Sequence, residues 1–288
     1  MTRNSPSIFI ITCTLFCAVN IACNSNHPSE ISKVVPAATP ENPLPDIAKM
    51  VKRMTTQDGC RNFIAEMRLT IEDNQRKEEP VDFRILRKYT DQGAMTFLTV
   101  IAPVRETDKA FLAIEQKGQP TQALTYLPGL KKLSRLNSAR QLGIGNAKVS
   151  VQELLGMELN QYSYTPGERV AENDEQLIKV EFKEDPVIGL AYPRIIGYFR
   201  EKDQQPARFE LYDERDELQK RVKIEKIKPV EGHQTITGLA IDDLAHERTF
   251  KLETRRIEFD RVLADSIFTE NHLKTYIDDA SRRLDQIN

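Results

Sequence analysis

Tryptophan is absent from this chain, and histidine and cysteine occur only four times each. His27, His233, His246 and His272 form no His-x-x-x-His pair and no Cys-His cluster, so the ligand spacing of a zinc site is missing. There is no Gly-x-Ser-x-Gly nucleophile elbow. "GIGNAK", Gly143 to Lys148, lacks the Lys-Ser/Thr ending and the strand-to-helix setting of a phosphate loop, and reads as a loop hinge. The acid pairs Asp242-Asp243 and Asp278-Asp279 sit among many surface carboxylates and read as solvated charge. These absences leave no constellation for an enzyme, a metal or a cofactor. Net charge −2 and a pI near 6.2 speak against a nucleic-acid partner.

A second absence is local. From Gln116 to Gln152 there is no Asp or Glu, yet Lys117, Lys131, Lys132, Arg135, Arg140 and Lys148 all fall there. At the amino end, Arg3 is the only charged side chain before Glu30. Ile8 to Ala22, "IFIITCTLFCAVNIA", is an apolar run shorter than the ~20 residues of a membrane span, as in a secretory signal. It ends in "VNIAC", which resembles a lipobox with Cys23 as the lipidated residue, although Asn20 stands where an aliphatic side chain is usual. Cys13 and Cys17 would leave with the signal, and Cys60 would be the one thiol outside the anchor, so the mature chain has no internal disulfide. "NSNHPSEISKVVPAATPENPLP", Asn24 to Pro45, is rich in Pro, Ser and Asn without apolar periodicity, and reads as a flexible tether. The organisation expected is a signal over 1–22, a lipid anchor and tether over 23–45, and a single domain over 46–288.

That domain reads as mainly β with a few helices. In "FIAEMRLTIED" Phe63, Ala65, Met67, Leu69 and Ile71 alternate with Glu66, Arg68, Thr70 and Glu72. "VDFRILRKY", "AMTFLTVIAP", "AFLAIEQ", "QALTYLP" and six later segments continue the series, separated by turn residues. About eleven strands in one series favour a strongly curved antiparallel sheet, an open half-barrel. Short helices would lid it: Asp46 to Met54 with Asp46 as N-cap, a capping box of Ser150 and Glu153, and a closing segment with Leu273, Ile277, Ala280 and Leu284 on one face.

The acid-free stretch carries a resemblance. Tyr126-Leu127-Pro128, then Lys131, Lys132 and Arg135, then Ser138-Ala139-Arg140, a glycine-containing loop and Glu153-Leu154-Leu155 resemble the LolA-like outer-membrane lipoprotein-sorting family. The paired strands after Tyr192 and "DSIFT", Asp265 to Thr269, agree, so the resemblance runs from about Asp46 to Thr269. It implies a concave apolar face that holds lipid or lipoprotein acyl chains. Phe63, Met67, Leu69, Phe83, Ile85, Phe97, Phe209 and Leu211 are the candidate lining, although a dry packed core has the same periodicity. Tyr126, Lys131, Lys132, Arg135 and Arg140 are the candidate mouth, facing lipid headgroups or docking a partner such as an envelope transporter. The expected setting is the bacterial envelope, facing the periplasm. Asn24, which is not the Asp that in some bacteria keeps a lipoprotein at the inner membrane, favours the outer membrane. A sensor or regulatory binding protein of the same fold is the alternative.

Overall fold

The alternation in β1 (Asn62–Asp73) decides which way its side chains point. Ala65, Leu69 and Ile71 are buried on one face, while Glu66 and Arg68 stand on the other. β1 pairs antiparallel with β3 (Val81–Thr90), which sets Glu66 opposite Arg84 and Arg68 opposite Asp82. Both pairs close as salt bridges, at 2.7 and 2.6 Å. The computed structural model describes residues 43–55, 60–73, 76–77, 79–137, 141–144, 147–150, 153, 159–186 and 188–286; Cys23 and Arg140 lie outside them.

One fifteen-stranded antiparallel sheet carries the fold. Its main path starts at β10 (Tyr162–Tyr164) and runs through β12 (Glu175–Glu184), β13 (Arg194–Arg200), β14 (Pro206–Tyr212), β15 (Leu218–Val230), β16 (His233–Asp243) and β17 (Arg248–Phe259). It continues through β1, β3, β4 (Gly93–Ala102), β5 (Ala110–Gln116) and β6 (Gln122–Leu127) to β7 (Lys132–Leu136). β2 (Arg76–Lys77) pairs with β1 and β11 (Glu168–Glu172) with β12, while β8 (Gln141–Ile144) and β9 (Ala147–Ser150) form a separate hairpin. The expected eleven strands are an undercount. β2 and β10 are too short to show a period, and β7 follows Pro128 and Gly129, where a strand was expected to end.

The sheet is open, with β10 and β7 as its edges, and it is strongly curved. From β12 to β3 is seven strand-to-strand steps, about 34 Å if the sheet were flat. Yet Ile178 and Phe182 of β12 belong to the same contiguous core as Val81 and Phe83 of β3. Gly197 in β13 is where the aromatics crowd: a Cβ there would meet the rings of Phe199, Phe209 and Phe182 at 2.9, 3.0 and 3.1 Å.

Two helices flank the sheet among the described residues. α1 (Ile47–Thr55) is capped as its sequence requires, the Lys49 N–H donating to Asp46 Oδ1 at 3.1 Å. It turns Ile47, Met50 and Val51 into the inner core. α2 (Glu270–Asp285) is capped by Thr269, whose hydroxyl accepts from the His272 N–H at 3.2 Å. It buries Leu273 and Ile277 on the outer face against Phe97, Leu112, Leu124 and Tyr126. Leu44–Asn288 form one compact unit.

The Arg68–Asp82 pair predicts an acid dependence. Two hydrogen bonds from Arg68, at 2.6 Å each, hold the Asp82 carboxyl below the ordinary aspartate range. Because its folded-state pKa is depressed, the stabilisation is present above the ordinary value of about 3.9 and is lost as pH falls through the depressed value. Arg68→Gln should therefore lower Tm at neutral pH, with the gap to wild type closing between about pH 5 and pH 2. A gap of constant size across that range would refute the assignment.

Candidate functional site

The inner face of the sheet is the candidate site. It is apolar over most of its length, because β1, β3, β4 and β12 to β17 all turn their inward phase onto one core. Leu69, Phe83, Ile85, Phe209 and Leu211 are buried there, and Phe63 and Met67 pack against them half-buried. Phe199 and Phe209 stack edge-to-face, centroids 5.8 Å apart. Among the described residues the cover is made of short pieces: α1, the turn containing Leu159, Tyr162, and the loop carrying Ile188, Leu190 and Tyr192. These pieces and the inner face pack into one contiguous core.

Phe97 is not on this face. It packs on the outer side under α2, 4.9 Å from the His272 ring and 5.7 Å from the Tyr276 ring. Tyr126 lies in the same outer cluster, beneath the helix rather than at a cavity mouth. Lys131, Lys132 and Arg135 are exposed at the edge strand β7 and the turn before it. The outer face also has a groove of about 260 Å³ between Ile64, Glu66, Arg84, Leu86, Arg256 and Glu258. Its polar rim is closed by the Arg84–Glu66 and Arg256–Glu258 ion pairs.

At one end of the inner face the apolar stripe gives way to charge. Lys220 continues the inward phase of Val222 and stands opposite both Leu211 and Asp243. Its ammonium donates to Glu153 Oε1 at 2.6 Å and lies 3.7 Å from Asp243 Oδ2. All three side chains are nearly inaccessible, at 7%, 4% and 6% exposure. Glu153 reaches this position through the expected capping box. The Ser150 N–H donates to Glu153 Oε2 at 2.7 Å, and the Glu153 N–H donates back to Ser150 Oγ at 3.2 Å. Exposed His246 contacts Asp243 through Nδ1 at 3.0 Å. Burial, reinforced by the charges of Glu153 and Asp243, pushes the Tyr192 hydroxyl well above the ordinary tyrosine range. Asp242 and Asp243, expected to be solvated together, therefore separate: Asp242 pairs with half-exposed Lys223 at 2.9 Å, while Asp243 is buried. Strand alternation puts neighbours on opposite faces, and here only one face is dry.

β7 and β10 are opposite edges of the sheet, and two described residues that lie between them in sequence, the second just before β10, are tied back to the body. Glu153 is tied to β15. Gln161 is tied to the β5–β6 turn, accepting from the Gly118 N–H at 3.2 Å and donating to the Gln116 carbonyl at 3.1 Å. The signal for Lys220 was present in the sequence as a lysine in the apolar phase of its strand.

Among the described residues, Asn62 Oδ1, Thr237 Oγ1 and Ser281 Oγ are buried without a hydrogen-bond partner, whereas the other buried ion pair of the body is fully engaged. Arg87 meets Glu115 with two hydrogen bonds, at 2.6 and 2.8 Å, and Thr96 at 2.8 Å. The Cys60 thiol is buried and pushed up to about 11 by that burial, with the Asp260 charge adding to it, so it stays protonated at neutral pH.

A family model described as "-like: Uncharacterized protein" matches residues 92–275. No curated protein matches the chain. Among solved structures it is similar to a DUF1329 family protein from Desulfovibrio piger, at 15% identity and TM-score 0.69, covering 78% of this chain and 96% of that one. A second, from Vibrio parahaemolyticus, is described as an outer membrane lipoprotein-sorting protein domain and matches at 19% identity and TM-score 0.68, covering 78% and 97%. A LolA superfamily protein from Nitrosomonas europaea matches at 16% identity and TM-score 0.67, covering 78% and 98%. At these identities the likeness is one of fold, and at that level the resemblance carried by the stretch from Tyr126 to Leu155 is borne out.

Proposed function

From a chain that belongs to the family described as "-like: Uncharacterized protein" and has the LolA-type fold, we propose a non-enzymatic envelope protein that binds lipid or lipoprotein acyl chains on its inner face. The observation that carries this is the contrast between that face and its cover. Nine strands build one apolar surface, yet among the described residues α1 and a few loop side chains are what pack over it. An acyl chain lying along the surface would exchange apolar contact for apolar contact, at about 0.8 kcal/mol per buried CH₂, so displacing the cover leaves the balance near neutral. Phe63, Met67, Leu69, Phe83, Ile85, Phe209 and Leu211 would line the chain's path. Phe97 and Tyr126, facing away, would not. Anchoring through lipidated Cys23 would hold the body at the outer membrane, with an envelope transporter as the partner that supplies cargo.

Two measurements test the two halves of this reading. Solvent extraction and mass spectrometry of protein purified from the envelope should release acyl lipid in near-stoichiometric amount from the inner face. Protein that carries none, and that gains no thermal stability from added fatty acid, would overturn the binding assignment. Separately, labelled palmitate should enter the wild-type chain and not the Cys23→Ser variant; equal labelling of both would remove the anchor.

A further inference from the structure

The β6–β7 turn combines two features that surface turns usually keep apart. Leu127 and Leu130 are exposed, at 41% and 72%. Between and beside them are the 3-10 turn Pro128–Leu130, Lys131 in the left-handed conformation at φ 48°, and Lys132. Lys131, Lys132 and Arg135 are all exposed and make no ion pair among the described residues, in a stretch of sequence without a single acid. Elsewhere on the sheet, surface arginines such as Arg84 and Arg194 close onto carboxylates. The turn is also braced. Leu124 and Tyr126, which lead into it, are clamped under α2, and β7 ends the path of the sheet among the described residues.

We propose that this turn is a membrane-docking tip. Leu127 and Leu130 enter the interfacial layer of an anionic bilayer, and Lys131, Lys132 and Arg135 lie against its phosphates. Two leucines offer far too little area for a stable protein interface, which needs about 1,000 Å² or more. They suit a bilayer, where one acyl anchor gives marginal attachment and a second, basic-apolar signal makes it stable. The tether from Cys23 to α1 spans at most about 80 Å, so an anchored body keeps the tip within reach of the same membrane. The proposal takes the bilayer from the envelope reading above, and does not depend on whether the inner face holds acyl chains.

The test is flotation of the mature chain from residue 23 onward, carrying Cys23→Ser so that no acyl anchor contributes. Vesicles of phosphatidylcholine alone are compared with vesicles that include phosphatidylglycerol. Wild type should float with the anionic vesicles and release them as salt rises from about 0.1 M to about 1 M. Lys131→Gln with Lys132→Gln should weaken binding about thirtyfold. Leu127→Ser with Leu130→Ser should weaken it about tenfold or more. All the changed side chains are exposed, so melting curves should overlay wild type and show that a loss is not unfolding. Unchanged flotation of the leucine variant would overturn the tip, as would wild-type binding indifferent to lipid charge. Lipid extraction from the same variants separates the two sites: a failed tip with cargo retained leaves the inner-face reading standing, and lost cargo with intact flotation does the reverse.

Discussion

Lys220→Met is expected to destabilise the protein by about 3–5 kcal/mol, the usual loss when one partner of a buried ion pair is removed. Methionine fills most of the lysine's volume, so little of this loss comes from packing. It comes from Glu153 and Asp243, which stay buried without a cation between them. His246 cannot take over, since it contacts Asp243 alone from the exposed side. Lys223→Met is the control. Its partner Asp242 lies one residue away from Asp243 but faces out, and exposed pairs are worth about 0–1 kcal/mol. The double variant Lys220→Met, Glu153→Leu should recover part of the loss, because it removes a stranded carboxylate along with the cation. Chemical denaturation of the four proteins checks this. A Lys220→Met loss as small as that of Lys223→Met would mean that the cluster is wetter than its exposure indicates.

What the sequence discloses about this fold follows where one face of an element is dry and the other wet. β1 meets that condition, and its alternation fixes both the core residues and the charged ladder to β3. α1 and the Ser150–Glu153 box are legible because capping chemistry is local. β4 is the opposite case. It runs between the inner core and the layer under α2, so Met95 and Phe97 are covered on one side and Leu98 and Val100 on the other. A strand with no wet face has no readable phase, so its alternation does not separate Phe97 from the inner-face residues. The buried cluster needs more than phase. Lysine in an apolar register flags Lys220, but Glu153 is sixty-seven residues away in sequence and meets it only in the folded chain, where no local pattern announces the pairing.

The core of the inner face makes the last expectation. Phe209→Ala should cost about 3–5 kcal/mol, the range for truncating a fully buried phenylalanine. The void would open beside Phe199 and Phe182, above Gly197, where there is no side chain to relax inward. Phe97→Ala should cost a similar amount, since Phe97 is equally buried under α2. The two variants part company when fatty acid is added. A ligand that binds only the folded protein raises its stability by about 2.7 kcal/mol at a hundred times its Kd. On the inner face, an acyl chain can also fill part of the void left by Phe209, so the Phe209→Ala protein should regain more of its lost Tm than wild type gains. The Phe97→Ala void opens on the far side of the sheet, and that variant should gain only what wild type gains. Equal recovery in both variants would mean that the fatty acid acts somewhere other than the inner face.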